Sequence, residues 1–265
     1  MLETDVRNVI GDAWDVWTSP LHAHQRDWLG AAGMIALSAA VSPWDDEVDR
    51  WAVRHRTDKG FDVLKELREG GIAFSGRTIG PVAAGALAVS LLTRNQRFQE
   101  GLFGCLTAYG ASSAVRTFVV YPLVARLRPD SGHSGVQPPP AKSGDQYKFE
   151  FPGTSDWGRH SLPGGHVANV VACAEFLTRR FSMGLVEPAM WALAGGVAVS
   201  RTLDRRHWTS DQVIGAALGF AVGKQIALRS SRRVARTDTR SADGDWAPFF
   251  TRRAAGVEVG LAHRF

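Results

Sequence analysis

Three short segments hold the side chains best suited to chemistry. His207 and Asp211 stand four residues apart in Ser200-Arg201-Thr202-Leu203-Asp204-Arg205-Arg206-His207-Trp208-Thr209-Ser210-Asp211. Thr209 and Ser210 are good helix caps. If they open a helix, Asp211 can accept from one ring nitrogen of His207, fixing the tautomer and leaving the other nitrogen bare as a nucleophile. Arg201, and Arg128 of Arg128-Pro129, are planar bidentate donors suited to phosphoryl oxygens. Ser161-Leu162-Pro163-Gly164-Gly165-His166 opens a further apolar run. Gly164 and Gly165 there present backbone N–H groups where the helix dipole favours an anion. His166 follows directly, placed to protonate a leaving oxygen. The chemistry so predicted is phosphoryl transfer to His207, with Asp211 orienting it and His166 as general acid.

Each segment alone has a bland reading: a helix stop, a turn with a surface histidine, a local His–Asp pair. Their order and their placement at helix ends make the set specific. Apolar runs cover residues 28–42, 80–93, about 101–125, 165–178, 185–200 and 212–228. They predict an all-α bundle of about six core helices. Antiparallel packing of consecutive helices would bring all three segments to one end. The expected organisation is an N-terminal helical segment over 1–79, a core over 80–228 and a basic tail over 229–265. Residues 229–245 read as flexible, and period-two alternation at Val257, Val259 and Leu261 predicts a short hairpin.

Residues 129–163 are rich in Pro, Gly and Ser and carry Tyr147, Phe149, Phe151 and Trp157. Connections this long are usually lids, binding loops or linkers. Both ends carry site residues, so the loop 130–160 is expected near the pocket. His133, in a second Ser-Gly-His, opens no helix and is set aside as the acid. His55, His160 and His263 read as surface residues. Cys105 and Cys173, each in an Ala-rich stretch, read as buried small hydrophobes rather than a disulfide.

These segments resemble the type-2 phosphatidic acid phosphatases, which share a helical fold with bacterial acid phosphatases and vanadium haloperoxidases. The pattern is Lys-x6-Arg-Pro, Pro-Ser-Gly-His and Ser-Arg-x5-His-x3-Asp. The third motif matches fully at Ser200, Arg201, His207 and Asp211; the second at Pro163, Gly165 and His166; the first at Arg128 and Pro129. The resemblance covers about residues 80–228. It implies His207 as nucleophile, His166 as acid, and Arg128 and Arg201 on phosphate. Two positions depart. Tyr121 stands where the pattern has Lys, two helical turns before Arg128, and is expected to bind phosphate by donating a neutral hydroxyl to a phosphoryl oxygen. Gly164 stands where it has Ser. Arg116, five residues before Tyr121, falls on another face of an α-helix and reads as a poor substitute for the lysine. Losing a hydrogen bond to a charged group costs about 1.5–3 kcal/mol, so a weakened or specialised enzyme is expected.

The chain has 265 residues, a net charge of +5 and a sequence pI of about 9.6. A basic balance fits an anionic partner, and no nucleic-acid-binding module is present. The expected substrate is a phosphate monoester or diphosphate, most naturally of a lipid, with no cofactor and no metal. A pocket retained only to bind anions, or a vanadate-dependent haloperoxidase, are the alternatives; Tyr121 argues against the second. The N-terminus shows no basic stretch followed by an apolar run, so no cleavable secretion signal is expected. Several apolar runs are shorter than the about 20 residues a span wants, and Lys and Arg favour neither side. The lipid substrate implied by the resemblance gives the expected location: a bacterial-type inner membrane with transmembrane helices and the site facing the periplasm or exterior. A soluble or peripheral bundle is the alternative. The cluster Arg229, Arg232, Arg233 and Arg236 suits an anionic leaflet.

Overall fold

A computed structural model describes residues 2–55, 58, 84–89, 92, 96–131, 139–242, 246–253 and 256–263. His133, most of residues 56–83 and much of the 80–93 run lie outside them. The fold is an all-α bundle. Its helices are α1 (Leu2–Thr18), α2 (Gln25–Val41), α3 (Asp45–His55), α4 (Gln96–Val115), α5 (Gly165–Arg180), α6 (Val186–Leu203) and α7 (Thr209–Ala242), with a further helical stretch at 84–89. Two small antiparallel pairs accompany them. One joins β1 (Ala125–Arg126) to β2 (Phe149–Glu150); the other joins β3 (Trp246–Arg253) to β4 (Gly256–His263).

Small residues set the helix spacing. On α7, Gly215, Gly219 and Gly223 recur every fourth residue, so they share one face. A Cβ on any of them would collide with the backbone carbonyl of Gly164, Ala168 or Ala172 respectively. The ascending order on both helices makes α5 and α7 parallel and close-packed. Helix α4 runs antiparallel to α5: Ser113 Oγ donates to Asn169 Oδ1 at 3.1 Å, and Arg180 pairs with Glu100 at 2.6 Å. Cys105 of α4 and Cys173 of α5 form a disulfide, contrary to the expectation of two buried thiols. The two apolar faces bring the cysteines together, with Cα atoms 4.5 Å apart, inside the range a bridge needs.

The main core packs Val16, Ala108, Ala111, Ala172, Phe176, Val222, Ile226 and Ala227. Phe176 fills the space over Gly104, where a Cβ would collide with its ring. A second cluster of Val167, Val171, Ala194 and Val197 joins α5 to α6.

Helix α3 buries its acids: Asp45, Asp46 and Asp49, with Ala52. Asp46 pairs with Arg50 of the same helix, and the other two acids pair with cations distant in sequence. Asp49 pairs with Arg205 at 2.6 Å and Asp45 with Arg126 at 2.8 Å. Helix α2 is the opposite case: its apolar residues are largely exposed, and its only buried residue is Ser38, which donates to the Ser210 carbonyl at 2.9 Å.

The chain divides into two compact units, Met1–Ala227 and Leu228–Phe265. The expected hairpin forms in the second, in register from Trp246↔His263 to Arg253↔Gly256. The expected flexible segment after Leu228 is instead helical to Ala242. Residues 224–242 hold no Gly or Pro, and Ala and Arg are good helix formers. Among the described residues, no helix is long and apolar enough to cross a membrane.

Candidate active site

The segments converge at the end of the bundle where α5 and α7 begin. His166 is the second residue of α5, and His207 lies two residues before α7. Their ring centroids are 6.4 Å apart. The Gly164–Gly215 contact forces this meeting, because it fixes one helix start against the other.

His207 is buried, and its Nδ1 donates to the Ser161 carbonyl at 2.6 Å. A carbonyl only accepts, so Nδ1 carries the proton and Nε2 of the neutral ring is bare. The direct partner is therefore not Asp211, as the four-residue spacing suggested. Asp211 stands one step behind. It accepts from Ser161 Oγ, from the Trp208 backbone N–H at 2.9 Å and from Arg126 Nη1. The physical reason lies in the helix start: Asp211 is the third residue of α7 and turns back to cap Trp208 N–H. Burial first, then Arg128 and Arg201, hold the His207 pKa well below its usual 6.5.

Burial, then Arg201, Arg116 and Arg128, lower the His166 pKa to about 3. Both histidines are thus neutral in the empty site. Arg128 donates from Nε and Nη2 to the His160 carbonyl, at 3.3 and 3.1 Å, and its guanidinium stacks on Trp157 at 3.7 Å. Its Nη1 is buried without a hydrogen-bond partner, and desolvation lowers its pKa to about 10. Arg201 pairs with Asp204 at 3.0 Å. Arg128 follows β1 rather than ending a helix: helix geometry stops at Leu123 and Val124 is extended. The two-turn relation between Tyr121 and Arg128 therefore does not apply, although the phenol and the guanidinium do interact.

Gly164 caps α5, and its N–H donates to the Asp211 carbonyl at 2.9 Å, so that N–H is engaged and not open to an anion as the sequence suggested. The next N–H groups, of Gly165 and His166, have no acceptor within the helix. A Cβ on Gly164 would collide with Gln212 Oε1; the buried Gln212 amide occupies the space a serine side chain would take.

The described part of the loop packs on the site. The Gly158 carbonyl accepts from Arg128 N–H at 2.9 Å. His160, read from sequence as a surface residue, stacks on Tyr121 with centroids 4.1 Å apart, and its Nε2 donates to the Thr154 carbonyl. Arg205 holds the Pro139 carbonyl at 2.9 Å, and Asp49 accepts from Ala141 N–H at 2.8 Å.

Sequence reasoning missed Ser161, Arg126, Asp45, Trp157 and Gln212, and it dismissed Arg116. Arg126 is the hub. It bonds Asp45, Ser210 and Asp211 and the Gln146 carbonyl while 2 % exposed. Its place two residues before Arg128 was the available signal. Arg116 lies over the Tyr121 ring at 5.9 Å and against Gly165, where a Cβ would collide with its guanidinium. The cause is a π-turn at Arg116–Val120, in which Tyr121 N–H bonds the Arg116 carbonyl. Residues five apart then sit nearly above one another, which α-helical spacing does not allow.

With this geometry in hand, the relatives are informative. Residues 101–234, about half of the chain, match the PAP2 superfamily, and the chain belongs to it. A 69-residue stretch is 36% identical to the lipid A 1-phosphatase of Porphyromonas gingivalis, covering 24% of this chain and 15% of that protein. The match thus spans well under two thirds of that relative's length. The transmembrane PAP2 type phosphatidylglycerolphosphate phosphatase of Bacillus subtilis aligns over 80% of this chain and 98% of its own, with 15% identity and a TM-score of 0.48.

Proposed function

We propose that the protein is a phosphatase that hydrolyses a phosphate monoester or diphosphate of a lipid through a phosphohistidine on His207. The observation that carries this is the His207 Nδ1–Ser161 bond, which leaves Nε2 bare beside His166 and two arginines. Nε2 attacks phosphorus, the P–O bond to the leaving group breaks, and the leaving oxygen takes a proton from His166. Water then attacks the phosphohistidine, His166 accepts the water proton, and the P–N bond breaks to release phosphate. Arg128, Arg201 and the N–H of Gly165 hold the equatorial oxygens. His166 is neutral when the site is empty, so its proton arrives with the substrate. A phosphate ester whose second ionisation lies near 6 supplies it, and the bound anion offsets the arginines that depress the ring.

Superfamily membership and the lipid A relative support a lipid phosphate as substrate. So do the exposed apolar residues of α2, among them Trp28, Leu29, Ile35 and Leu37. We place the enzyme at a bacterial inner membrane with its site toward the periplasm or exterior. The Cys105–Cys173 bridge fits that side, since such bonds persist in oxidising compartments. Turnover of p-nitrophenyl phosphate and a panel of lipid phosphates in detergent tests the activity. Hydrolysis with a preference for lipids is expected. Equal rates in wild type and His207→Ala would contradict the reading.

A further inference from the structure

We propose that Arg116 is a third phosphate-binding cation, so that Tyr121 does not leave the site one charge short. This rests on the phosphatase reading above. The π-turn delivers Arg116 to the same face as Tyr121, and the Tyr121 phenol accepts a hydrogen bond from its guanidinium. On its other side the guanidinium presses on Gly165, at the start of α5. It is therefore fixed between an aromatic ring and the helix end whose N–H groups face the anion site.

Arg116 Nε and Arg128 Nη1 are both buried and without an acceptor among the described residues. An unsatisfied buried donor on a charged group is costly. Both guanidinium groups also act on His166, together with Arg201. One tetrahedral oxyanion between these arginines and the two histidines would satisfy both donors. Gly165 has its own reason in this arrangement: a side chain there would displace Arg116. Tyr121 then serves as a positioning residue that holds Arg116, rather than as a direct ligand of phosphate.

The test is competitive inhibition by inorganic vanadate, with p-nitrophenyl phosphate turnover, on full-length protein in detergent. Thermal melts report whether each variant is folded. Arg116→Gln should weaken vanadate inhibition by roughly tenfold to a hundredfold. Arg116→Lys keeps the charge and the stem but loses the fork, and should weaken it several-fold. Adding Tyr121→Lys to Arg116→Gln should recover part of the loss, which a merely structural arginine would not allow. Should Arg116→Gln fail to fold, Arg116→Lys decides alone. A folded variant at position 116 with vanadate inhibition unchanged from wild type overturns the inference while leaving the phosphatase reading intact. A wild type that neither turns over ester nor responds to vanadate overturns both.

Discussion

His207 takes its orientation from Ser161: the ring Nδ1–H donates to the Ser161 carbonyl at 2.6 Å, and the Ser161 hydroxyl in turn donates to Asp211. Asp211 therefore acts on His207 through a backbone segment.

Replacing Asp211 by Asn should damage the fold as well as the rate. Asp211 and Asp45 together enclose the Arg126 guanidinium, all three buried. Removing one partner of a buried pair costs about 3–5 kcal/mol, and the Trp208 cap weakens as well. Ser161→Ala leaves the carbonyl in place and removes only the hydroxyl bond. It should cost about 1 kcal/mol and lower kcat much less than Asp211→Asn. Thermal melts and kcat for the two variants check this order.

Acid should unfold the empty enzyme from a definite point. The unfolded histidines titrate near 6.5, while folded His166 lies near 3 and His207 well below 6.5. Between those values the unfolded state binds more protons, so stability is complete above about pH 6.5 and falls as pH drops. The slope is about 1.4 kcal/mol per pH unit for each histidine. Unfolding measured from pH 7.5 to 5 should show it, and His166→Gln should remove roughly half. A flat profile would contradict the buried neutral pair.

Gly164 and Gln212 should be coupled. Gly164→Ser drives its side chain into the Gln212 amide and should destabilise by about 1–3 kcal/mol. In a Gln212→Ala background the same substitution should cost less. A double-mutant cycle on stability reads the difference, about 0.5–3 kcal/mol for residues in contact. Additive effects would mean that Gln212 does not fill the serine position.

The Cys105–Cys173 bridge closes a segment with a sequence separation of 68. Loop-closure entropy assigns such a bridge about 4 kcal/mol. Reduction, or Cys105→Ala with Cys173→Ala, should lower the melting temperature accordingly without abolishing turnover. Unchanged melting on reduction would show that the cysteines are not joined in the protein.

Much of this was visible in the sequence, because the helix-end rule needs only order and apolar runs. It brings His166, Arg201 and His207 to one end, where α6 ends and α5 and α7 begin, whereas Arg128 arrives there after β1 and not at a helix end. Alternation in the last residues likewise foretold β3 and β4. What escaped depends on hydrogen-bond register and long-range pairing. The π-turn changes the angular step between Arg116 and Tyr121, and no residue count reveals it. The buried acids of α3 look like a solvated face until Arg126 and Arg205 are placed opposite. The Asp211–His207 spacing was right in sequence and wrong in contact, since the helix cap competes for the same carboxylate. The stripe Gly215, Gly219 and Gly223 went unread, because its spacing alone does not say which helix backbone packs on it.

Trapping the covalent intermediate tests the central claim most directly. Protein mixed with 32P-labelled phosphate ester and quenched in alkali should carry label that is stable to base and lost in acid, located on the peptide that contains His207. The label should vanish in His207→Ala. With His166→Gln it should accumulate when the ester has a good leaving group, because that departure needs no acid while hydrolysis of the phosphohistidine loses its base. Turnover by His207→Ala at the wild-type rate, or label on any other residue, would contradict the account.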